Sequence, residues 1–146
     1  MEIISIATSR KKGTRKAPVA EALLIAGHGI EGDAHAGPWH RQVSFLSSES
    51  IQKAQRRGLR VSFGDFAENI ATKGIRWQDL PKGTKLRLGD SALVEITQLG
   101  KECHNRCAIY HLAGDCIMPR EGVFAKVIQS GTIRSGDRIE VVERRP

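Results

Sequence analysis

Two thiols four residues apart, with an imidazole and a guanidinium between them, form the run Cys103-His-Asn-Arg-Cys107. Residues at this spacing fall on one side of either a helix or a strand, so both sulfurs can converge on one point. Thiolate is the ligand that thiophilic metals prefer, and neighbouring positive charge lowers a thiol from its usual pKa of about 8.5. Lys101, His104 and Arg106 supply that charge by sequence. Three chemistries compete for the pair. A structural zinc site needs four closed ligands; His104, His111 and Cys116 are the candidates to complete it, but no Cys-x-x-Cys pair is present. A thioredoxin-like redox switch lacks its usual spacing for the same reason. The third is a lone reactive thiolate that ligates a soft metal or carries sulfur. Against all three stands the plain alternative of buried apolar cysteines, which suits Cys116, between Asp115 and Ile117, better than the other two.

A second polar cluster lies upstream. Asp33, His35, His40 and Arg41 crowd into nine residues on a glycine-rich backbone that permits close approach to a ligand. The histidines are candidate ligands or proton-transfer groups, while Asp33 is equally suited to satisfying loop backbone. Trp39 reads as an anchor of the loop to the core. The run Gly27-His-Gly-Ile-Glu-Gly32 has the spacing of a dinucleotide fingerprint. That fingerprint works by opening a helix toward a pyrophosphate, and Gly37-Pro38 argues against a helix here. A third segment, Gly64-Asp-Phe-Ala-Glu-Asn69, brings Asp65, Glu68 and Asn69 together. It reads as a capped turn, in which Asn69 has the best functional claim because its amide both donates and accepts.

Around these groups, 146 residues make one domain with a real core. No apolar run approaches the roughly 18 to 20 residues needed to cross a bilayer, and no secretory leader pattern opens the chain. Three cysteines are too few for a disulfide framework. The expectation is a cytoplasmic protein without membrane association. The net charge of +7 is gathered in Arg10 to Lys16, Arg56 to Arg60 and Arg144-Arg145, which favours acidic or phosphate-bearing partners as well as solubility. Aromatics make up only 5% of the chain and none interleave with the basic runs, so a single-strand stacking platform is disfavoured.

The elements that must position these groups are mostly strands. Glu2 to Thr8, Val19 to Ala26, Arg41 to Leu46 (alternating), Thr84 to Leu88, Ala92 to Leu99 and Arg138 to Val142 read as strands, with Gly89-Asp90 as a hairpin turn. Ser48 to Arg57 reads as a helix capped by Ser48 and stopped by Gly58. A second helix is expected from Pro119, with Val123/Val127 and Phe124/Ile128 paired at i, i+4 and Gly131 beyond its end. The order is not a strand–helix–strand repeat, so a doubly wound parallel sheet is disfavoured. The fold expected is mostly β, barrel-like, with a few short helices packed outside.

Taken together, Gly29-Ile-Glu-Gly-Asp-Ala-His-Ala-Gly37, Arg41-Gln-Val-Ser-Phe-Leu46, Gly64-Asp-Phe-Ala-Glu-Asn-Ile70, Leu80-Pro-Lys-Gly-Thr84 and Gly114-Asp-Cys-Ile-Met-Pro-Arg-Glu-Gly-Val-Phe124 resemble the MOSC domain, the module named after the C-terminal part of molybdenum cofactor sulfurases. The match runs in order from about Glu2 to Val142, and the chain resembles the small stand-alone form, a single domain over residues 1–146. The resemblance implies a β-rich, barrel-like fold and either binding of the molybdenum cofactor or handling of sulfur for metal–sulfur centres. It also implies a late cysteine as metal or persulfide ligand. Arg106-Cys107 resembles the Cys-x-Arg-Cys members and Glu102-Cys103 the Pro-Cys members, so both thiols stand as catalytic and metal-ligating candidates, Cys107 ahead. Asp33, His35, Arg41, Asn69, Lys101, Arg106 and Arg120 are the cofactor-binding candidates, since a phosphate tail and a pterin both need donors.

The resulting expectation is a cofactor-binding or sulfur-handling protein whose status as an enzyme is open. If it is one, it reduces N-oxygenated compounds with electrons from a separate protein, because no flavin or haem motif is visible. Its expected partners are the cofactor or the proteins that make it. A non-catalytic carrier is the alternative, and a basic nucleic-acid-binding module a lesser one.

Overall fold

The computed structural model describes residues 1–100 and 117–143, with backbone only at 119 and 120. In chain order the described elements are β1 (Glu2–Thr8), β2 (Ala17–Val19), β3 (Glu21–Ile25), β4 (Gly29–Ile30), β5 (Val43–Ser47), α1 (Ser48–Arg56), β6 (Ile70–Lys73), β7 (Lys85–Leu88), β8 (Ala92–Leu99), α2 (Met118–Glu121), β9 (Val123–Gln129), β10 (Gly131–Arg134) and β11 (Ile139–Glu143), with a 3-10 turn at Trp77–Asp79. Eight strands form one sheet in the order β11-β7-β8-β9-β5-β6-β1-β2; β10, β3 and β4 form a second. The fold is therefore mostly β, as expected.

The large sheet curls until its ends approach each other. Glu2 bridges Arg138, Ile3 N–H donates to Asp137 O (2.8 Å), Gly136 N–H to Ile3 O (2.6 Å) and Ile139 N–H to Met1 O (2.9 Å). This contact is one bridge rather than a continuous ladder, so the sheet is barrel-like without being a closed barrel. Every strand pair in it is antiparallel except β5 with β6, where Phe45 faces Ile70 in parallel register. α1 makes that crossover; among the described elements this is a single strand–helix–strand unit, not the repeat of a doubly wound sheet that the sequence order had disfavoured.

Two local expectations are corrected. Residues from Val123 form the central strand β9, not a helix, and β9 pairs with both β5 and β8. Its Val123, Phe124, Ala125 and Val127 are buried, so layers on both faces erase the alternation that marks a half-exposed strand. β5 keeps the expected alternation of faces, with Val43 and Phe45 on one side and Leu46 on the other, although Val43, Ser44, Phe45 and Leu46 are all buried. The cap of α1 is Ser47, not Ser48: Ser47 has extended backbone and its hydroxyl accepts from Ser50 N–H at 3.0 Å.

β5 divides the interior. Val43 and Phe45 join the main core inside the curled sheet, with Ile3, Ile70, Leu86, Val94 and Trp77. Leu46 faces the other way, into a smaller core with Ile51 and Ala54 of α1, Phe66, Ile117 and Phe124. Gly64 permits the closest approach between loops. Its φ is +88° and a Cβ there would lie 2.1 Å from Lys16 O. Lys16 N–H donates to Gly64 O at 2.8 Å, which locks the basic loop after β1 onto the 64–69 turn.

Candidate functional site

Lys101, Cys103, Arg106 and Cys107, with His104, His111 and Cys116, lie outside the described residues. So does the side chain of Arg120, whose backbone belongs to α2. The structure does place the two ends from which the thiol segment departs and returns. Gly100, after β8, donates its N–H to Gly122 O at 2.6 Å. Ile117 and Met118 are buried in the smaller core beneath α1. A cleft of about 230 Å³ opens between these ends, lined by Trp77, Gln78, Leu99, Gly100, Glu121 and Gly122 among others.

The loop before β5 delivers its cationic and aromatic side chains to the same corner. Gln98, near the end of β8, donates from Nε2 to Gly100 O at 2.7 Å. Its Oε1 lies 3.0 Å from Arg41 Nε and 2.9 Å from His40 Nε2. The half-buried Arg41 guanidinium lies 5.4 Å from the Phe124 ring centroid and 5.9 Å from that of Trp39. Lys12 Nζ, from the basic loop, sits 4.4 Å from the Trp39 centroid. These contacts desolvate part of each cation without neutralising it. Trp39 is tied down by its indole N–H, which donates to His35 O at 2.7 Å. That bond is internal to the loop and Trp39 belongs to neither core cluster, so the ring carries the cations rather than anchoring the loop to the core.

Asp33 lies below this platform and holds it in place. Its Oδ1 accepts from Lys16 Nζ at 2.8 Å and from Ser9 N–H at 3.1 Å, and its Oδ2 accepts from His35 N–H at 3.0 Å. Both side chains of the Lys16–Asp33 pair are fully buried. Burial opposes ionisation of Asp33, but His35, Lys16 and the Ser9 N–H outweigh it and hold the carboxyl well below the usual range. Burial pulls Lys16 down, against the attraction of Asp33 and Glu68. The His35 ring stacks parallel to Trp39 with centroids 6.5 Å apart. Its buried Nδ1 lies 3.7 Å from Asp33 Oδ2, beyond hydrogen-bonding range.

Asn69 stands apart from the platform. Its Oδ1 accepts from Ser44 N–H (3.0 Å) and its Nδ2 donates to Ala7 O (3.1 Å). The amide thus clips β1, β5 and the start of β6 together from a buried position. Glu68 is buried too, and accepts from Gly64 N–H (2.7 Å) and Phe66 N–H (3.2 Å). Burial pushes its carboxyl up to about 7, against the backbone N–H groups of Gly64, Glu68 and Phe66.

The structure therefore brings Asp33, His35 and Arg41 to one corner and leaves Asn69 in the framework. The sequence reading missed Lys12, Lys16 and Gln98 as members of the site. The two lysines sat in a run that looked like a solvated charge patch. Gln98 offered no signal, since it closes an ordinary strand. Among the described residues no group of three or more His, Cys, Asp or Glu side chains could hold a metal ion, and no helix is long and apolar enough to cross a membrane.

The sequence profile of the MOSC domain matches residues 32–140. Among solved structures, the chain superposes on YuaD from Bacillus subtilis with a TM-score of 0.77 at 18% identity, covering 94% of this chain and 93% of that one. YiiM from Geobacillus stearothermophilus gives a TM-score of 0.73 at 23% identity, with coverage of 97% and 75%. YiiM from Escherichia coli gives 0.71 at 21% identity, with coverage of 99% and 71%. At these identities the likeness is one of fold. None of the curated proteins matches the chain in sequence.

Proposed function

This chain belongs to the MOSC domain family, and on that premise we propose that it is a cytoplasmic protein that binds the molybdenum cofactor or handles sulfur, with the thiolate of Cys107 or Cys103 as metal or persulfide ligand. The observation that carries the reading is the corner beside Gly100. A half-buried guanidinium, an ammonium and an indole face meet there within 6 Å contacts, where the thiol segment leaves the sheet. Asp33, the nearby carboxylate, is neutralised by Lys16.

That donor set fits a planar, phosphate-bearing group. Arg41 and Lys12 would hold the phosphate, Arg41 through paired bonds and Lys12 as a point charge. Trp39 offers a ring face, and Lys101, Arg106 and Arg120 are the further candidate donors. When bound, the cofactor supplies a two-electron redox centre at which N-oxygenated compounds are reduced, the electrons coming from a separate protein. The Lys16–Asp33 pair keeps the loop rigid, and Gln98 orients Arg41.

Expression in cells that make the cofactor, followed by molybdenum and persulfide analysis of wild type, Cys103→Ser and Cys107→Ser, tests the proposal. Wild type is expected to carry metal or persulfide, and the Ser variant of the ligating thiol to lose it. Turnover of N-hydroxylated bases with an electron donor then separates an enzyme from a carrier. A chain with neither metal nor persulfide would defeat the reading. Salt-sensitive duplex binding that survives loss of both thiols would favour nucleic acid instead.

A further inference from the structure

We propose that His40 is the proton-transfer group of this corner, and that Gln98 holds it in the tautomer that leaves Nδ1 as the working nitrogen. The assignment rests on the cofactor reading for its reaction, but on hydrogen-bond logic for its geometry. Arg41 Nε–H can only donate, and it meets Gln98 Oε1 at 3.0 Å. Gly100 O can only accept, and it meets Gln98 Nε2 at 2.7 Å. Two partners with single roles therefore fix the amide orientation, leaving no flip to choose. His40 Nε2 lies 2.9 Å from the same Oε1, so it must carry a proton and donate it. Nδ1 is then the free lone pair of the neutral ring.

Its surroundings suit proton transfer. The ring is exposed, so it exchanges protons with water. It sits edge-on to Trp39 at 5.8 Å, and its backbone carbonyl is held by the Thr97 hydroxyl. Among the described residues Nδ1 has no partner, and the ring is linked through one side chain to Gly100. The charged groups facing it are Arg41, on the shared Gln98 oxygen, and Lys12, above Trp39; the titratable group across Trp39 is His35. His35 differs in having its Nδ1 buried toward Asp33.

In reduction of an N-hydroxylated base, R–NH–OH, two electrons from the partner protein and two protons yield R–NH₂ and water. The N–O bond breaks, nitrogen is reduced and the donor oxidised. His40 passes a proton from Nδ1 to the departing oxygen and is left neutral with its proton on Nε2; solvent supplies the other proton and then reprotonates Nδ1.

Nitrogen-15 imidazole spectra of the chain without cofactor test the geometry. They are expected to show a His40 Nε2–H protected from exchange and no proton on Nδ1 of the neutral ring. Protection is expected to vanish in Gln98→Leu and return in Gln98→Glu, whose carboxylate again accepts from both donors. A neutral ring protonated at Nδ1, or protection indifferent to Gln98→Leu, overturns the assignment. In the loaded protein, His40→Gln is expected to keep its molybdenum, lose about 10²- to 10⁴-fold in turnover and lose the decline of kcat on the alkaline side. Unchanged turnover and pH profile overturn it. A chain with neither molybdenum nor persulfide would instead defeat the preceding reading, and the cofactor-free spectra would then decide for or against His40 by themselves.

Discussion

Two buried carboxyls near the site have opposite charge histories. Asp33 sits lower than in the unfolded chain, so the stability it contributes is present above about pH 4 and lost as pH falls toward its folded value. Glu68 has risen from 4.5 to about 7 because burial outweighs its backbone donors. Its unfolded form ionises first, so folding stability declines as pH climbs from about 4.5 to 7. At about 1.4 kcal/mol for each tenfold change, that decline is on the order of 3 kcal/mol. The expected outcome is that urea denaturation finds wild type more stable near pH 5 than near pH 7.5, and that Glu68→Gln removes most of this slope. A slope unchanged in the variant would mean that Glu68 ionises normally. Lys16 and Asp33 illustrate the other side of burial, since removing either partner strands a charge in the interior.

At the scale of elements, α1 is a short helix whose stability comes from its ends and from one apolar face. Ile51 and Ala54 pack into the smaller core, Glu49 lies in the first turn, and Lys53 and Arg56 lie in the last. Ser47, the last residue of β5, begins the helix by accepting from Ser50 N–H. Ser47→Ala is expected to cost about 1 kcal/mol in chemical denaturation, whereas Ser48→Ala, which removes only a 3.4 Å contact to Glu49, should cost less. The reverse ranking would restore Ser48 as the cap. Because α1 ties β5 to β6 in parallel, this cap also fixes the strand that leads from Arg41 into the core.

For the whole molecule, β5 is shared by both cores, and the ends of the large sheet meet through Met1 to Ile3 and residues 136–139. Neither core can lose its packing without disturbing a strand of the other. We therefore take the chain as one domain, and calorimetry is expected to show a single cooperative transition. Two resolved transitions would mean that the α1 layer unfolds separately.

The amino-acid sequence alone was enough to identify the β-rich fold, β1 and the β7–β8 hairpin, because short-range patterning and a Gly-Asp turn specify them locally. It also singled out Asp33, His35 and Arg41 as neighbours in one loop. β9 was misread because its apolar residues, covered on both faces in the folded sheet, fit a helical period as well as a buried strand. Only the tertiary structure brought Lys12, Lys16 and Gln98 to that loop, and only it consumed the Asn69 amide in the framework. Which of two polar groups meet, and which spends its hydrogen bonds on backbone, is decided by strand order and curvature between residues such as Ala7 and Asn69, 62 positions apart. No local pattern carries that information.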